Sequence, residues 1–267
     1  MIDRAGSSTF DLYANDYEAT LQRGLSLSGE DSFYFARERV AWLGRRLQEL
    51  GGSGATILDY GCGTGSTTQY LLGLPGARRL VGADSSLESL KVARREHGSV
   101  HATFVPISEP PAEGSVDIAY SNGVFHHLRP DERPAALRWI ARALRPGGLF
   151  ALFENNPWNP GTRLVMSRIP FDRDAKTLSP IEARRMLRAA DFNVVASDSL
   201  FFFPRALRLL RPLERRLARA PLGGQYLALA RSPGHAPPSR GIAKECLSAG
   251  GLASQDPELG PAKRERA

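Results

Sequence analysis

Residues 56–72 read Thr-Ile-Leu-Asp-Tyr-Gly-Cys-Gly-Thr-Gly-Ser-Thr-Thr-Gln-Tyr-Leu-Leu, and this stretch decides the fold. Its apolar start, Ile57-Leu58, follows a glycine-rich segment and predicts a buried strand that is entered from a loop. Alternate positions from Gly61 to Gly65 are glycines, which allow a sharp turn and direct contact between a ligand and the backbone. Ser66-Thr67 can cap a helix that follows. Strand, glycine turn and helix form the first unit of a doubly wound sheet, which binds ligands beyond the carboxyl ends of its strands.

Two acidic residues accompany the glycines. Asp59 lies two positions ahead of Gly61, and Asp84 ends a second apolar run, Leu80–Ala83. An acid about 20 residues beyond the glycines typically accepts ribose hydroxyls in nucleoside-binding sheets. Dinucleotide sites use Gly-x-Gly-x-x-Gly, whereas a carboxylate at position 59 would repel a pyrophosphate and suits a cationic ligand. A purely structural glycine turn and a nicotinamide site are the alternatives.

The segment Asp59–Gly65 resembles the nucleotide-binding motif of class I S-adenosylmethionine-dependent methyltransferases, commonly written Asp/Glu-x-Gly-x-Gly-x-Gly. The resemblance covers about residues 30–231. It implies S-adenosyl-L-methionine as the cofactor and an α/β fold: a doubly wound, Rossmann-like sheet of seven strands, parallel except the last. It also implies a set of cofactor-binding residues. These are Tyr17, Arg39, Asp59, Gly61, Cys62, Gly63, Gly65, Asp84, Ser85, Leu87, Ser108, Ser121 and Asn122.

Arg39 and Ser108 have specific expected roles within that set. A helix is predicted from Phe33 to Leu50, with Arg39 on or beside its buried face. Resemblance to ubiquinone-pathway methyltransferases implies that Arg39 binds the cofactor's methionine carboxylate, and a salt bridge to a core acid is the alternative. Many relatives have an acid after the third strand, here His101–Val105, for the adenine amino group. This chain has Pro106-Ile107-Ser108-Glu109 there, so the position directly after the strand is not acidic, and Ser108 or a backbone group is expected instead.

His126 and His127 follow the predicted fourth strand, Val116–Tyr120, at the mouth of the predicted site. One of them is a candidate general base, because histidine titrates near neutral pH, and a hydroxyl acceptor must lose a proton. We favour His126, since His127 precedes a helix start where packing is expected. The alternative is that one histidine packs and the other caps.

The second half of the chain supplies the remaining elements. A helix over 133–144 ends at a Pro-Gly-Gly turn, before a fifth strand at Leu149–Glu154. Residues 155–160 are expected to form a substrate loop, and residues 171–174 to be polar and exposed. Ser85 with Glu88, and Ser179 followed by Pro180, predict further helix starts. Strands six and seven are expected at 192–199 and 225–230.

The segment 204–217 combines arginines with leucines at helical spacing. It predicts an amphipathic helix whose apolar face covers the substrate pocket. The alternative is weak contact with an anionic membrane surface. The resemblance implies that residues 1–30 form a lid, and a surface helix is the alternative. Residues 31–231 are expected to form the methyltransferase domain, and residues 232–267 a disordered tail.

Composition limits the function. The chain has 267 residues and a net charge of +7, but 12 Lys/Arg against 5 Asp/Glu lie from Leu200 onward, so the remaining body is neutral. An enzyme that acts on nucleic acid should be basic near its site, so no nucleic-acid partner is expected. Two cysteines and no signal-type or membrane-spanning run favour a cytoplasmic protein. No metal is expected, because the sequence has no cluster of acids placed for a magnesium site.

The sequence therefore predicts an enzyme that methylates a small molecule, with a hydroxyl as the expected acceptor. A methyltransferase of nucleic acid or protein, and a cofactor-binding protein without catalysis, are the alternatives. The oligomeric state is not predicted.

Overall fold

The computed structural model describes residues 11, 17–52, 54–172 and 175–233, which form a seven-stranded sheet with helices on both faces. The strands are β1 Thr56–Tyr60, β2 Arg79–Asp84, β3 Ala102–Pro106, β4 Val116–Asn122, β5 Leu144–Asn155, β6 Asn193–Leu200 and β7 Gln225–Arg231. The helices are α1 Tyr17–Leu25, α2 Ser32–Glu49, α3 Thr68–Leu72, α4 Leu87–His97, α5 Arg133–Ala143, α6 Pro160–Arg168, α7 Pro180–Ala189 and α8 Glu214–Leu217. Three 3₁₀ helices lie at Ser26–Ser28, Pro170–Asp172 and Arg205–Leu213.

The strand order is β3-β2-β1-β4-β5-β7-β6. Strands β1 to β5 are parallel to one another, and β7 is antiparallel to both β5 and β6. The predicted fold class is therefore confirmed. The order reverses between β1 and β4, so the two halves of the sheet diverge there and leave a crevice at the strands' carboxyl ends.

Successive side chains of the central strands enter different cores, because a strand alternates its faces. Ile57 packs with buried residues of α2, α3 and α4, whereas Leu58 packs with those of α5 and α7. Neither residue is exposed to solvent. The sheet is thus the middle of three layers, and the helices close both of its faces.

Helix α2 is anchored to β6 by a buried acid. Asp198 is 2% exposed, and its Oδ2 accepts from Trp42 Nε1 at 2.9 Å and from Arg46 Nε at 2.6 Å. A second Arg46 nitrogen donates to Oδ1, which completes a bidentate pair. The buried carboxylate is fully partnered, and it fixes the helix that carries Arg39.

Two helix starts differ from the sequence prediction. Ser86, not Ser85, caps α4, and its side chain accepts from Ser89 N. In α3, Thr67 holds the cap position without a side-chain hydrogen bond. The capping box at Ser179 and Glu182 is present as expected. At α3 and α4, two adjacent hydroxyl residues could each cap the helix, and the sequence alone does not distinguish them.

Helix α6 is not among the helices predicted from sequence. Asn159 accepts from Thr162 N at 3.0 Å, and Pro160 occupies the first turn, where its missing N–H has no cost. Both signals are present in the sequence.

The segment 205–217 is not one amphipathic α-helix, since it comprises a 3₁₀ helix followed by the short α8. Pro212 lies inside the 3₁₀ helix. The prediction that its leucines cover a pocket is wrong for Leu207, Leu210 and Leu213, which are exposed at the surface. The membrane-contact alternative stays a prediction.

Several expectations fall outside the described residues. The tail beyond residue 233, and most of the lid segment before Tyr17, belong to this group. Among the described helices, none is long and apolar enough to cross a membrane.

Candidate active site

A cavity of about 570 Å³ lies at the crevice between β1 and β4. Its size is within the range of small-molecule sites. Residues of the glycine turn line one part of it. Aromatic residues of the 201–203 segment and apolar residues of α6 line another.

The glycine turn is built from backbone conformations that favour glycine. Gly61, Gly63 and Gly65 have φ angles of +76°, +53° and +80°. A Cβ at Gly61 would lie 2.3 Å from Val124, and one at Gly65 would meet His97, Ala93 and Phe104 at 3.0–3.3 Å. At Gly63, by contrast, no protein atom lies within 4 Å of that position. Gly63 therefore presents bare backbone to the cavity, as a ligand cradle requires.

Asp84 supports the turn from β2. Its Oδ2 accepts from Gly63 N and its Oδ1 from Ser86 N, both at 2.8 Å. Burial raises the pKa of Asp84, while these backbone N–H groups oppose the shift. Each carboxylate oxygen keeps a further lone pair, so Asp84 can still accept hydroxyls.

Asp59 is buried and lines the cavity. Burial, and secondarily the charge of Asp84, raise the pKa of Asp59 to about 7, while Arg39 opposes the shift. Its carboxylate is thus destabilised in the free protein. A nearby cation would stabilise it.

Arg39 is also buried beside the cavity. Its Nε donates to Tyr120 Oη at 3.2 Å, and its Nη1 donates to Gln225 Oε1 at 3.0 Å. The alternative of a salt bridge to a core acid is wrong, since no described carboxylate lies within 4.0 Å of this guanidinium. Its charge is held in place by neutral groups and stays available to an anion.

His126 and His127 meet two acids at the ends of β4 and β5. His126 Nδ1 donates to Glu154 Oε2 at 2.5 Å, and Glu154 Oε1 accepts from Phe125 N at 2.8 Å. His126 Nε2 lies 3.5 Å from Asp172 Oδ1 and makes no hydrogen bond, while His127 Nε2 lies 3.2 Å from the same oxygen. Asp172 is buried, which corrects the expectation that residues 171–174 are exposed.

The electrostatics separate the two histidines. Burial acts to lower the pKa of His126, but Glu154 and Asp172 outweigh it and raise the pKa to about 10. Burial lowers the pKa of His127, and the neighbouring His126 adds to that shift. His126 is therefore protonated at neutral pH, which does not suit the general base that we favoured from sequence. His127 reaches the cavity with 16% of its side chain exposed.

The structure brings many of the sequence-predicted residues together. Arg39, Asp59, Gly61, Cys62, Gly63, Asn122, His126 and His127 line the cavity. Ser121 is buried, and neither its Oγ nor the Asn122 Oδ1 has a hydrogen-bond partner. The cavity lining does not include Gly65, Asp84, Ser85, Leu87 or Ser108, although Ile107 N donates to Asp84 O, which places the end of β3 beside that acid. The side chain of Tyr17 lies outside the described part of the chain.

Sequence reasoning missed a polar contact at the cavity rim. Arg211 Nη2 donates to Glu30 Oε1 at 2.8 Å, and the guanidinium lies 4.5 Å from the Tyr34 ring centroid. All three residues line the cavity. No local pattern could have found this contact, since its members are far apart in the chain.

Comparison with known proteins agrees with the geometry. Residues 57–148 match the family described as "Methyltransferase domain". Trans-aconitate 2-methyltransferase of Azoarcus sp. is 35% identical over 112 residues, which cover 42% of this chain and 44% of that protein. O-methyltransferase cnsE of Penicillium expansum is 30% identical over 150 residues, which cover 53% of each chain. The chain thus spans about half the length of these curated relatives.

A solved structure shares the fold. The 1,6-didemethyltoxoflavin-N1-methyltransferase of Burkholderia thailandensis, determined with 1,6-didemethyltoxoflavin and S-adenosylhomocysteine, is 24% identical with a TM-score of 0.53. The match covers 83% of this chain and 88% of that one. Glycine turn, strand order and family match agree, and residues 57–148 therefore belong to a methyltransferase domain with the class I S-adenosylmethionine-dependent methyltransferase fold.

Proposed function

We propose that this protein transfers the methyl group of S-adenosyl-L-methionine to a small-molecule acceptor through a hydroxyl oxygen. The observation that carries the proposal is that His126, His127 and Asp172 line the same cavity as the glycine turn, with Glu154 paired to His126 behind them. A thioether or an amine that is already neutral attacks without first losing a proton, whereas a hydroxyl acceptor needs a group that takes its proton.

The residues present fit the cofactor. The open position at Gly63 leaves room for a ligand against the backbone, and Asp84, whose carboxylate accepts from Gly63 N, is the proposed acceptor for the ribose hydroxyls. Arg39 supplies an unneutralised cation for the methionine carboxylate, and Asp59 supplies a buried anion for the cofactor's positive charge. When bound, the cofactor supplies a methyl group on a sulfonium whose leaving group is a neutral thioether. The chain's remaining task is to align the acceptor and exclude water.

The acceptor half of the cavity favours a small apolar molecule. Phe35, the run Phe201–Phe203, Leu164 and Phe171 line it, and the histidine–carboxylate cluster supplies its polar end. Such a surface suits an aromatic or aliphatic skeleton with one reactive hydroxyl. A phosphate-rich nucleic acid would need a basic approach, for which the neutral body of the chain offers little.

The acceptor atom is the finer part of the proposal. One relative is named an O-methyltransferase, which supports oxygen, whereas the Burkholderia thailandensis enzyme is named an N1-methyltransferase. The histidine–carboxylate cluster favours oxygen for this chain. Protein or nucleic-acid methylation, and cofactor binding without catalysis, are outcomes that the following tests separate.

Gly63→Ala should weaken the binding of S-adenosylhomocysteine by about tenfold or more, equal to about 1.4 kcal/mol, because the added methyl group points into the open cradle. Isothermal titration calorimetry measures the affinity.

Gly114→Ala is the matched control. Gly114 has a φ of +69°, open space at the Cβ position and a place outside the cavity lining. Both substitutions should cost about 1–2 kcal/mol of stability through left-handed backbone strain. Equal affinity losses in the two variants would show that strain, and not contact with the ligand, explains the effect.

Asp59 should make cofactor binding depend on pH. Because its pKa is about 7 in the free protein, the ligand's ammonium group must displace a proton from Asp59 below that pH. Affinity for S-adenosylhomocysteine should therefore rise about tenfold from pH 6 to pH 8 and level off above pH 7. Asp59→Asn should flatten this rise. Comparison of the two proteins cancels the ligand's own titration, and identical pH profiles would exclude Asp59 as the responsible group.

Incubation with a methyl-deuterated cofactor and a metabolite extract should yield a labelled small molecule whose methyl group is on oxygen. His127→Ala should lower turnover of that acceptor by ~10²–10⁴-fold with unchanged affinity for S-adenosylhomocysteine. His101→Ala, at an exposed site away from the cavity, should leave turnover unchanged. A methyl group on nitrogen, or a loss below tenfold in His127→Ala, would contradict the hydroxyl proposal.

A further inference from the structure

Three potential metal ligands converge at the polar end of the cavity. His126, His127 and Asp172 each offer one donor atom, and these atoms lie within 4.8 Å of one another. The two histidine Nε2 atoms lie 3.5 Å and 3.2 Å from Asp172 Oδ1. Donors bound to zinc at about 2.0–2.1 Å with tetrahedral angles would be about 3.3–3.4 Å apart. The two histidine–carboxylate separations are close to that spacing, and the two histidine donors lie within 4.8 Å of each other.

A buried nitrogen points to the occupant. His126 is 3% exposed, and its Nε2 has no hydrogen-bond partner in the described structure. An unsatisfied buried polar atom is uncommon and costs about 1–3 kcal/mol. The atom faces Asp172 Oδ1 at a distance suited to an intervening ion, so a metal would satisfy both atoms.

A second carboxylate orients the first histidine. Glu154 Oε2 accepts from His126 Nδ1 at 2.5 Å, and Glu154 is itself fixed by Phe125 N. Because the carboxylate holds a proton on Nδ1, a metal displaces the second proton of the charged ring, and the lone pair of His126 then lies on Nε2, toward Asp172. A carboxylate behind a ligating histidine is a regular feature of metal sites. The backbone is also tied here, since Lys176 N donates to His126 O at 2.9 Å.

We propose that His126 Nε2, His127 Nε2 and a carboxylate oxygen of Asp172 bind a divalent transition-metal ion, with zinc as the preferred ion. Two imidazoles and one carboxylate suit zinc and its neighbours, whereas magnesium prefers oxygen ligands. All three residues line the cavity, so the remaining coordination positions face the space for the acceptor.

The consequence for catalysis rests on the proposed function, whereas metal binding itself does not. An ion at this point acts as a Lewis acid toward an acceptor hydroxyl. The O–H proton leaves to water, the oxygen forms a bond to the methyl carbon, and the carbon–sulfur bond breaks to release a neutral thioether. The ion is not consumed, and the only co-reactant is the methyl donor.

Metal binding is tested on the full-length protein after chelation, with no cofactor or acceptor present. Calorimetric titration with zinc chloride should show one site with micromolar or tighter affinity, and cobalt(II) should develop a visible spectrum of nitrogen and oxygen coordination. Magnesium chloride should not compete. Zinc should also raise the melting temperature of the wild-type protein, because a ligand that binds the native state stabilises it.

Matched variants locate the ion. Asp172→Asn and His127→Gln should each weaken zinc binding by more than ~100-fold, and Glu154→Gln by ~10–100-fold. His97→Ala and His101→Ala should bind zinc as the wild type does, since neither belongs to the cluster. The melting temperature of each variant without metal shows whether it is folded.

Two results would overturn the site: no zinc binding by the folded wild-type protein, or wild-type affinity in both Asp172→Asn and His127→Gln. Failure of the proposed function is distinguishable from either result. Zinc binding without binding of S-adenosylhomocysteine would support the metal site and contradict the methyltransferase proposal. Binding of S-adenosylhomocysteine without zinc binding would contradict the metal site alone.

Discussion

The hydrogen bond from Gly63 N to Asp84 Oδ2 joins the two features on which the site depends. It holds a left-handed backbone turn at the end of β1 against a buried carboxylate at the end of β2. Only glycine reaches these φ angles at little cost, and only a turn so tight brings bare backbone to the cavity. The parallel pairing of β1 with β2 aligns the two strand ends, so the sheet supplies the register for this contact.

The cavity gathers charges that the fold alone does not require. Asp59, Arg39, His126, Glu154 and Asp172 are all buried within one region, and burial of a charge is costly unless a partner compensates it. Arg39 is fixed by neutral groups, and Asp59 has a raised pKa. Such arrangements concentrate at functional sites, because ligands complete the missing partnerships.

Aromatic and apolar side chains form the wall of the cavity that faces the polar cluster. Phe201–Phe203 and α6 line the space in front of the polar cluster with apolar groups, and Arg211 donates to Glu30, which precedes α2. A dry site strengthens every electrostatic interaction inside it. In the proposed function, one end of the cavity binds a charged nucleoside, and the other binds an apolar molecule with one polar group.

The sheet and the glycine turn could be predicted from sequence because both are local patterns of apolar runs and glycine spacing. The histidine cluster could be predicted only in part. His126 and His127 stood out after β4, but Glu154 reaches His126 through the pairing of β4 with β5, and Asp172 arrives on a 3₁₀ helix with no periodic signal. The preference for His126 as a base failed for the same reason, since two acids from distant segments decide its charge.

The central claim is that the glycine turn holds the cofactor. Titration of the unmodified protein with S-adenosylhomocysteine, followed by hydrogen exchange of the complex, tests it most directly. The account predicts one bound ligand per chain and slower amide exchange at Gly61–Ser66 and at Ser86. Absence of binding, or protection confined to other parts of the chain, would contradict it.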